Sequence, residues 1–162
     1  MPISTEIAVA AAIYKQNDAM LAKSIAGLTD AEWKTRPNDN SNCVLWVVGH
    51  SVWARSMVLS MLGGAWTRPW LGKFVRGSKP VDASEYPSAE EIVTAWAEVS
   101  DSLKAAMESA PLSVLEAPAP EKMPTFDGKM SGLVGFLAYH ETYHVGQLAY
   151  LRCWLGHERV AG

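Results

Sequence analysis

The 162-residue chain is poor in cysteine, in excess positive charge and in long apolar runs. Two cysteines, Cys43 and Cys153, are too few for a disulfide framework, so a reduced compartment and a self-sufficient core are expected. Fourteen Lys and Arg against seventeen Asp and Glu leave a net charge of −3, whereas duplex nucleic-acid binders concentrate basic residues. The purely apolar runs, such as Cys43 to Gly49, are far shorter than the roughly 20 residues that span a bilayer. The opening stretch MPISTEIAVAAAIYK lacks a basic segment followed by an uninterrupted apolar one, so no signal peptide is expected. No segment reads as a convincing β-ladder. What remains is 49% hydrophobic and 19% charged, with seven tryptophans, a composition that excludes a disordered chain. One soluble, cytoplasmic domain over residues 1–162 is expected, without nucleic-acid or membrane partners.

Four segments carry apolar residues at helical spacing. The first runs from about Ser4 to Gly27 through Ile7, Ala11, Tyr14, Leu21, Ile25 and Leu28. The second runs from about Asn42 to Leu62 and stops at Gly63-Gly64. The third opens at Ser88, with Glu91 placed to complete a capping box, and continues through Ile92, Val93, Trp96, Val99, Leu103 and Met107. The fourth runs from about Ser131 to Leu155, and Gly156 ends it. A second capping-box pattern, Thr29 to Glu32, predicts one short turn of helix between the first two. The fold class is therefore all-α, a four-helix bundle. The long connection over residues 63–87 lets the second and third helices run parallel.

Three of the four histidines sit on apolar stripes. His50 shares a helical face with Trp46, Trp53 and Met57; His140 and His144 lie one turn apart on the last helix, among Leu133, Leu137, Leu148 and Leu151. Each set falls near the middle of its helix, so the three imidazoles stand at matching levels whichever way the helices run. A lone histidine on an apolar face is usually a satisfied core residue. Three at one level would each need a buried partner, which a single divalent metal supplies to all of them. Cys43 shares the face of His50 but stands about 10 Å along the helix, too far for a common ion. Core packing is expected for both cysteines, and a solvated place for His157 in the tail.

The string His140-Glu141-Thr142-Tyr143-His144 matches the zinc-protease pattern H-E-x-x-H, in which the glutamate is the general base. The longer metzincin form fails, because Gln147 and Tyr150 stand where it wants glycine and a third histidine. That reading also leaves His50 unused. A histidine in Gly49-His50-Ser51-Val52-Trp53-Ala54-Arg55, followed by His140, His144, Gly146 and Gln147 as H-x-x-x-H-x-G-Q, resembles the DinB/YfiT-like family of metal-binding four-helix bundles. The segment from Leu28 to Trp33 and on to Arg36-Pro37 resembles that family's link between its first helices.

The resemblance implies a divalent ion, zinc, nickel or iron, on His50, His140 and His144. It implies a homodimer, and a thiol-dependent S-transferase or small-molecule hydrolase whose partner is a small substrate such as a low-molecular-weight thiol. A non-catalytic metal-binding or dimerising module is the alternative. Three neutral imidazoles leave a coordination position open, to water or to a thiol. Glu141 is expected on the helix surface, with a proton-accepting role beside the site as its alternative. Gln147 is expected to pack or hydrogen-bond near the site. Asn17 and Asp18 interrupt the first helix's stripe, where they could orient an imidazole or simply meet solvent. The segment Trp66 to Lys79 carries Arg68, Lys73, Arg76 and Lys79 among Trp66, Trp70 and Phe74, with no acid. It reads as a crossing loop with packed tryptophans, or as a lid that attracts an anion.

Overall fold

In the computed structural model, which describes residues 3–78 and 81–160, the chain forms six α-helices: α1 (Ala8–Ile25), α2 (Asp30–Lys34), α3 (Val44–Met61), α4 (Ala89–Ser109), α5 (Leu112–Leu115) and α6 (Met130–Trp154). The four long ones are those the apolar periodicity predicts, and α2 is the predicted short turn. Among the described residues the only β feature is an isolated bridge between Pro118 and Lys129. Lys79 lies outside the described residues.

The direction of each helix follows from its cross-helix partners. Asn17 of α1 reaches Glu141 of α6, while Ser24 and Ala26 further along accept from Arg152, so α1 and α6 run parallel. The crossing segment after α3 returns along it: Trp66 and Arg68 bond Glu98, Trp70 bonds Glu91, and Phe74 reaches back to His50. A segment antiparallel to both neighbours makes α3 and α4 parallel, as the long connection predicts.

The stripe of α1 departs from its expected composition. Its buried positions are Ala10, Tyr14, Asn17, Leu21 and Ser24, so a polar Asn17 occupies the core line itself. In α4 the buried set is Ile92, Ala95, Trp96, Val99, Leu103 and Met107, and Val93 turns outward. The capping box at Thr29 forms in both halves. At Ser88 only one half forms, because the Glu91 carboxylate accepts from the Trp70 indole at 2.6 Å instead. His157 is not solvated but sits 2.8 Å from Glu32, tying the tail to α2. The Thr29 main-chain N–H, and then His157, hold the Glu32 carboxyl down at about 2. Cys43 is buried as expected, whereas Cys153 is exposed, because its position on α6 faces away from the bundle.

Helix α3 is buried on nearly every side and is the centre of the core. It is long and apolar enough to cross a membrane, yet 78% of it lies inside the bundle. Near its middle Arg55, 1% exposed, donates to Glu141 of α6 through Nε at 2.7 Å and Nη2 at 2.8 Å. Nη1 donates to Asp18 at 2.7 Å and to Ser100, and Nη2 also reaches the Tyr14 carbonyl at 3.3 Å. The guanidinium lies 3.8 Å from the Trp96 ring centroid. Every N–H of Arg55 is thus used, and one side chain ties α3 to α1, α4 and α6.

Removing one member of a buried pair leaves the other charge without compensation. Arg55→Ala is expected to lower unfolding free energy by about 3–5 kcal/mol. The double replacement Arg55→Met with Glu141→Leu recovers most of that loss, as two urea denaturation series would measure.

Candidate metal centre

His50 is presented by α3, and His140 and His144 by successive turns of the antiparallel α6. The three offer ligating nitrogens that all lie within 4.8 Å of one another. His50 and His144 are buried and His140 is half-buried. The His50 ring stacks on Trp46 at 4.8 Å and against Trp53 at 5.2 Å, which fixes its plane.

The hydrogen bonds of the outer ring nitrogens decide the tautomers. His50 Nδ1 is 2.7 Å from the Phe74 carbonyl, which can only accept, so Nδ1 carries the proton and Nε2 is a bare lone pair. His144 Nδ1 is 2.8 Å from Gln147 Oε1, and as the donor to that oxygen it leaves its Nε2 bare. That Nε2 faces His140 Nε2 at 3.2 Å, and the buried His140 Nδ1 has no partner among the described residues. A hydrogen bond between the two Nε2 atoms joins only His140 and His144, whereas a cation at their junction with His50 would accept a lone pair from each imidazole. Two nitrogens bound at about 2.0–2.1 Å to one tetrahedral ion stand about 3.3 Å apart. The His140–His144 spacing matches that value, so the residues present fit a divalent ion. Zinc, nickel and iron all accept imidazole, and the site does not distinguish them.

Burial, above all, lowers the basicity of all three imidazoles, and His144 falls to about 4. The Arg76 charge adds to that effect at His50 and at His140. Neutral imidazole is the form that ligates.

Other expected site residues fall elsewhere. Gln147 does hydrogen-bond beside the site, on His144. Asn17 and Asp18 touch no imidazole: Asn17 Nδ2 donates to Glu141 Oε1 at 3.0 Å, and Asp18 accepts from Arg55. Glu141 is not a surface carboxylate, being 1% exposed, nor does it flank the imidazoles. One residue past His140, it projects from a neighbouring face of α6 into the Arg55 network. Burial pushes its carboxyl up, while Arg55 and then Asn17 hold it down. A carboxylate accepting three hydrogen bonds there is not free to be the base of a zinc protease.

Sequence reasoning missed the Phe74 carbonyl, since a main-chain group leaves no letter in the sequence. Its only signal is Gly49, beside His50: a Cβ there would stand 2.3 Å from the Phe74 ring. The missing side chain lets the crossing segment close onto α3.

A bundle of this helix order, with imidazoles converging from α3 and α6, defines the class as a three-histidine four-helix bundle. The sequence model of the DinB superfamily matches residues 13–148, and the chain belongs to that superfamily. Among curated proteins no match to the chain is found.

Gly49→Ala is expected to displace Phe74 and cost about 1–3 kcal/mol of stability by overpacking. The His50 Nδ1–H proton, followed by NMR, would lose its hydrogen-bonded shift. A second expectation concerns pH. Because His144 falls from 6.5 to about 4 and the other two also fall, the unfolded chain takes up protons that the folded one refuses. Stability of the metal-free protein therefore decreases as pH drops from about 6.5 towards 4. Urea midpoints at pH 7.5 and 5 should differ less in His144→Phe than in the parent protein; equal differences would refute the assignment.

Proposed function

We propose that this protein is a metal-dependent enzyme acting on small molecules, and that transfer of a thiol sulfur is the reaction its site fits best. The carrying observation is the convergence of ligating nitrogens from His50, His140 and His144, all within 4.8 Å of one another, with no further protein ligand among the described residues. Three neutral donors and an open side are the pattern of catalytic rather than structural zinc-type sites. When bound, a divalent ion supplies the positive charge that lowers the pKa of a thiol or water reaching that side.

The chain's own residues orient and exclude. The Phe74 carbonyl and the Trp46 ring hold His50; Gln147 holds His144; half-buried His140 stands towards solvent. No carboxylate joins the three histidines among the described residues, and Glu141 is engaged by Arg55. Hydrolysis is helped by a general base beside the attacking water. Thiol transfer requires chiefly that the sulfur be held and deprotonated, and this difference supports it over hydrolysis. The same engagement of Glu141 argues against peptidase activity.

Elemental analysis of the purified protein, beside His144→Ala, tests the reading. About one transition-metal ion per chain is expected in the parent and a large loss in the variant. A folded parent that takes up neither zinc nor nickel on reconstitution overturns it. A loaded protein that consumes no thiol with any electrophile would leave a metal-binding module without turnover.

A further inference from the structure

The crossing segment carries three described cations, and two are spoken for. Arg68 pairs with Glu98. Lys73 donates to the Glu85 carbonyl at 2.6 Å and lies 3.7 Å from its carboxylate. Arg76 is exposed and has neither a carboxylate nor a hydrogen-bond partner among the described residues. Its place is set by Phe74, whose carbonyl is anchored 2.7 Å from His50 Nδ1. Two residues of chain span at most about 7 Å, so the Arg76 main chain stands beside His50, within an arginine side chain's length of the histidine cluster. The same stretch, Trp66 to Lys79, contains no acid, in a chain whose net charge is −3.

An unpaired guanidinium beside an open metal position is a recognition group for a planar anion. Its fork of donors matches the two oxygens of a carboxylate. Neutralising a bound anion elsewhere on this face would fall to no other described cation of the segment, since Arg68 and Lys73 are already compensated.

We propose that Arg76 selects substrates bearing a carboxylate, binding that group at the rim of the three-histidine site so that the substrate's reactive end faces the open position. This inference rests on the metal-dependent reading above. It adds to that reading the chemical class of the molecule that enters: a small organic acid, or a thiol that carries one.

Two thiols that differ mainly in a carboxylate test it. The protein, loaded with cobalt and its cobalt content measured, is titrated with mercaptoacetate and with 2-mercaptoethanol while the visible spectrum is followed. Mercaptoacetate is expected to bind about tenfold more tightly, the order that a charge-assisted hydrogen bond contributes. Arg76→Ala should bring the ratio of the two affinities to about one. Arg76→Lys should keep part of it, having the charge without the fork. Arg76 is exposed, so these replacements leave the core intact. A parent ratio near one, or a ratio unchanged in Arg76→Ala, overturns the role of Arg76 alone. A folded parent that takes up no cobalt overturns the metal reading, and this inference with it.

Discussion

The bidentate contact between Arg55 and Glu141 is the constraint on which the rest of the molecule depends. It joins α3 to α6 at one level and in one register, and its remaining donors draw in α1 and α4 through Asp18, Tyr14 and Ser100. A purely apolar seam between α3 and α6 would tolerate a slide or a small rotation, because dispersion and burial have no direction. A fork of two hydrogen bonds does not. Glu141 follows His140 directly, so whatever fixes the carboxylate fixes the imidazole one residue away. Burial of the guanidinium opposes its charge, and the carboxylates of Glu141 and Asp18 hold it charged nonetheless. That pairing is a weak source of net stability, and geometric definition is the better account of its presence.

The four long helices, the parallel course of α3 and α4 and the shared level of His50 with His140 and His144 were all legible in the sequence. Periodicity and helix length suffice for them, since 3.6 residues per turn and a fixed rise convert spacing into position. What was illegible has a common physical origin. The places of Glu141, Asn17 and Asp18 depend on which neighbour each helix turns towards, and one helix's pattern does not contain its neighbour's partners. Glu141 reads as a surface residue because glutamate usually is one. Only the arginine on a different helix, 86 positions earlier, makes burial tolerable. Val93 and Cys153 failed for a simpler reason: an apolar letter at the edge of a stripe faces whichever side the neighbouring helix leaves open.

The same contrast separates motif from mechanism. His140-Glu141-Thr142-Tyr143-His144 spells a zinc-protease string, and its two histidines do stand together, with Nε2 atoms 3.2 Å apart. The glutamate of that chemistry, Glu141, is spent on architecture. His50 on α3, outside the string, is the third imidazole of the cluster. The string alone could not have said which of two uses its glutamate serves.

The crossing segment reaches His50 through a main-chain carbonyl, and this has a consequence for how such a protein can change over generations. A carbonyl survives nearly any substitution, so the orientation of His50 is inherited with the path of the chain rather than with its letters. Gly49 and the buried Phe74 ring let that path come close to α3. The solvent-facing side chains of the segment are thereby released from duty to the centre. Lineages can rewrite those side chains while the three imidazoles keep their arrangement.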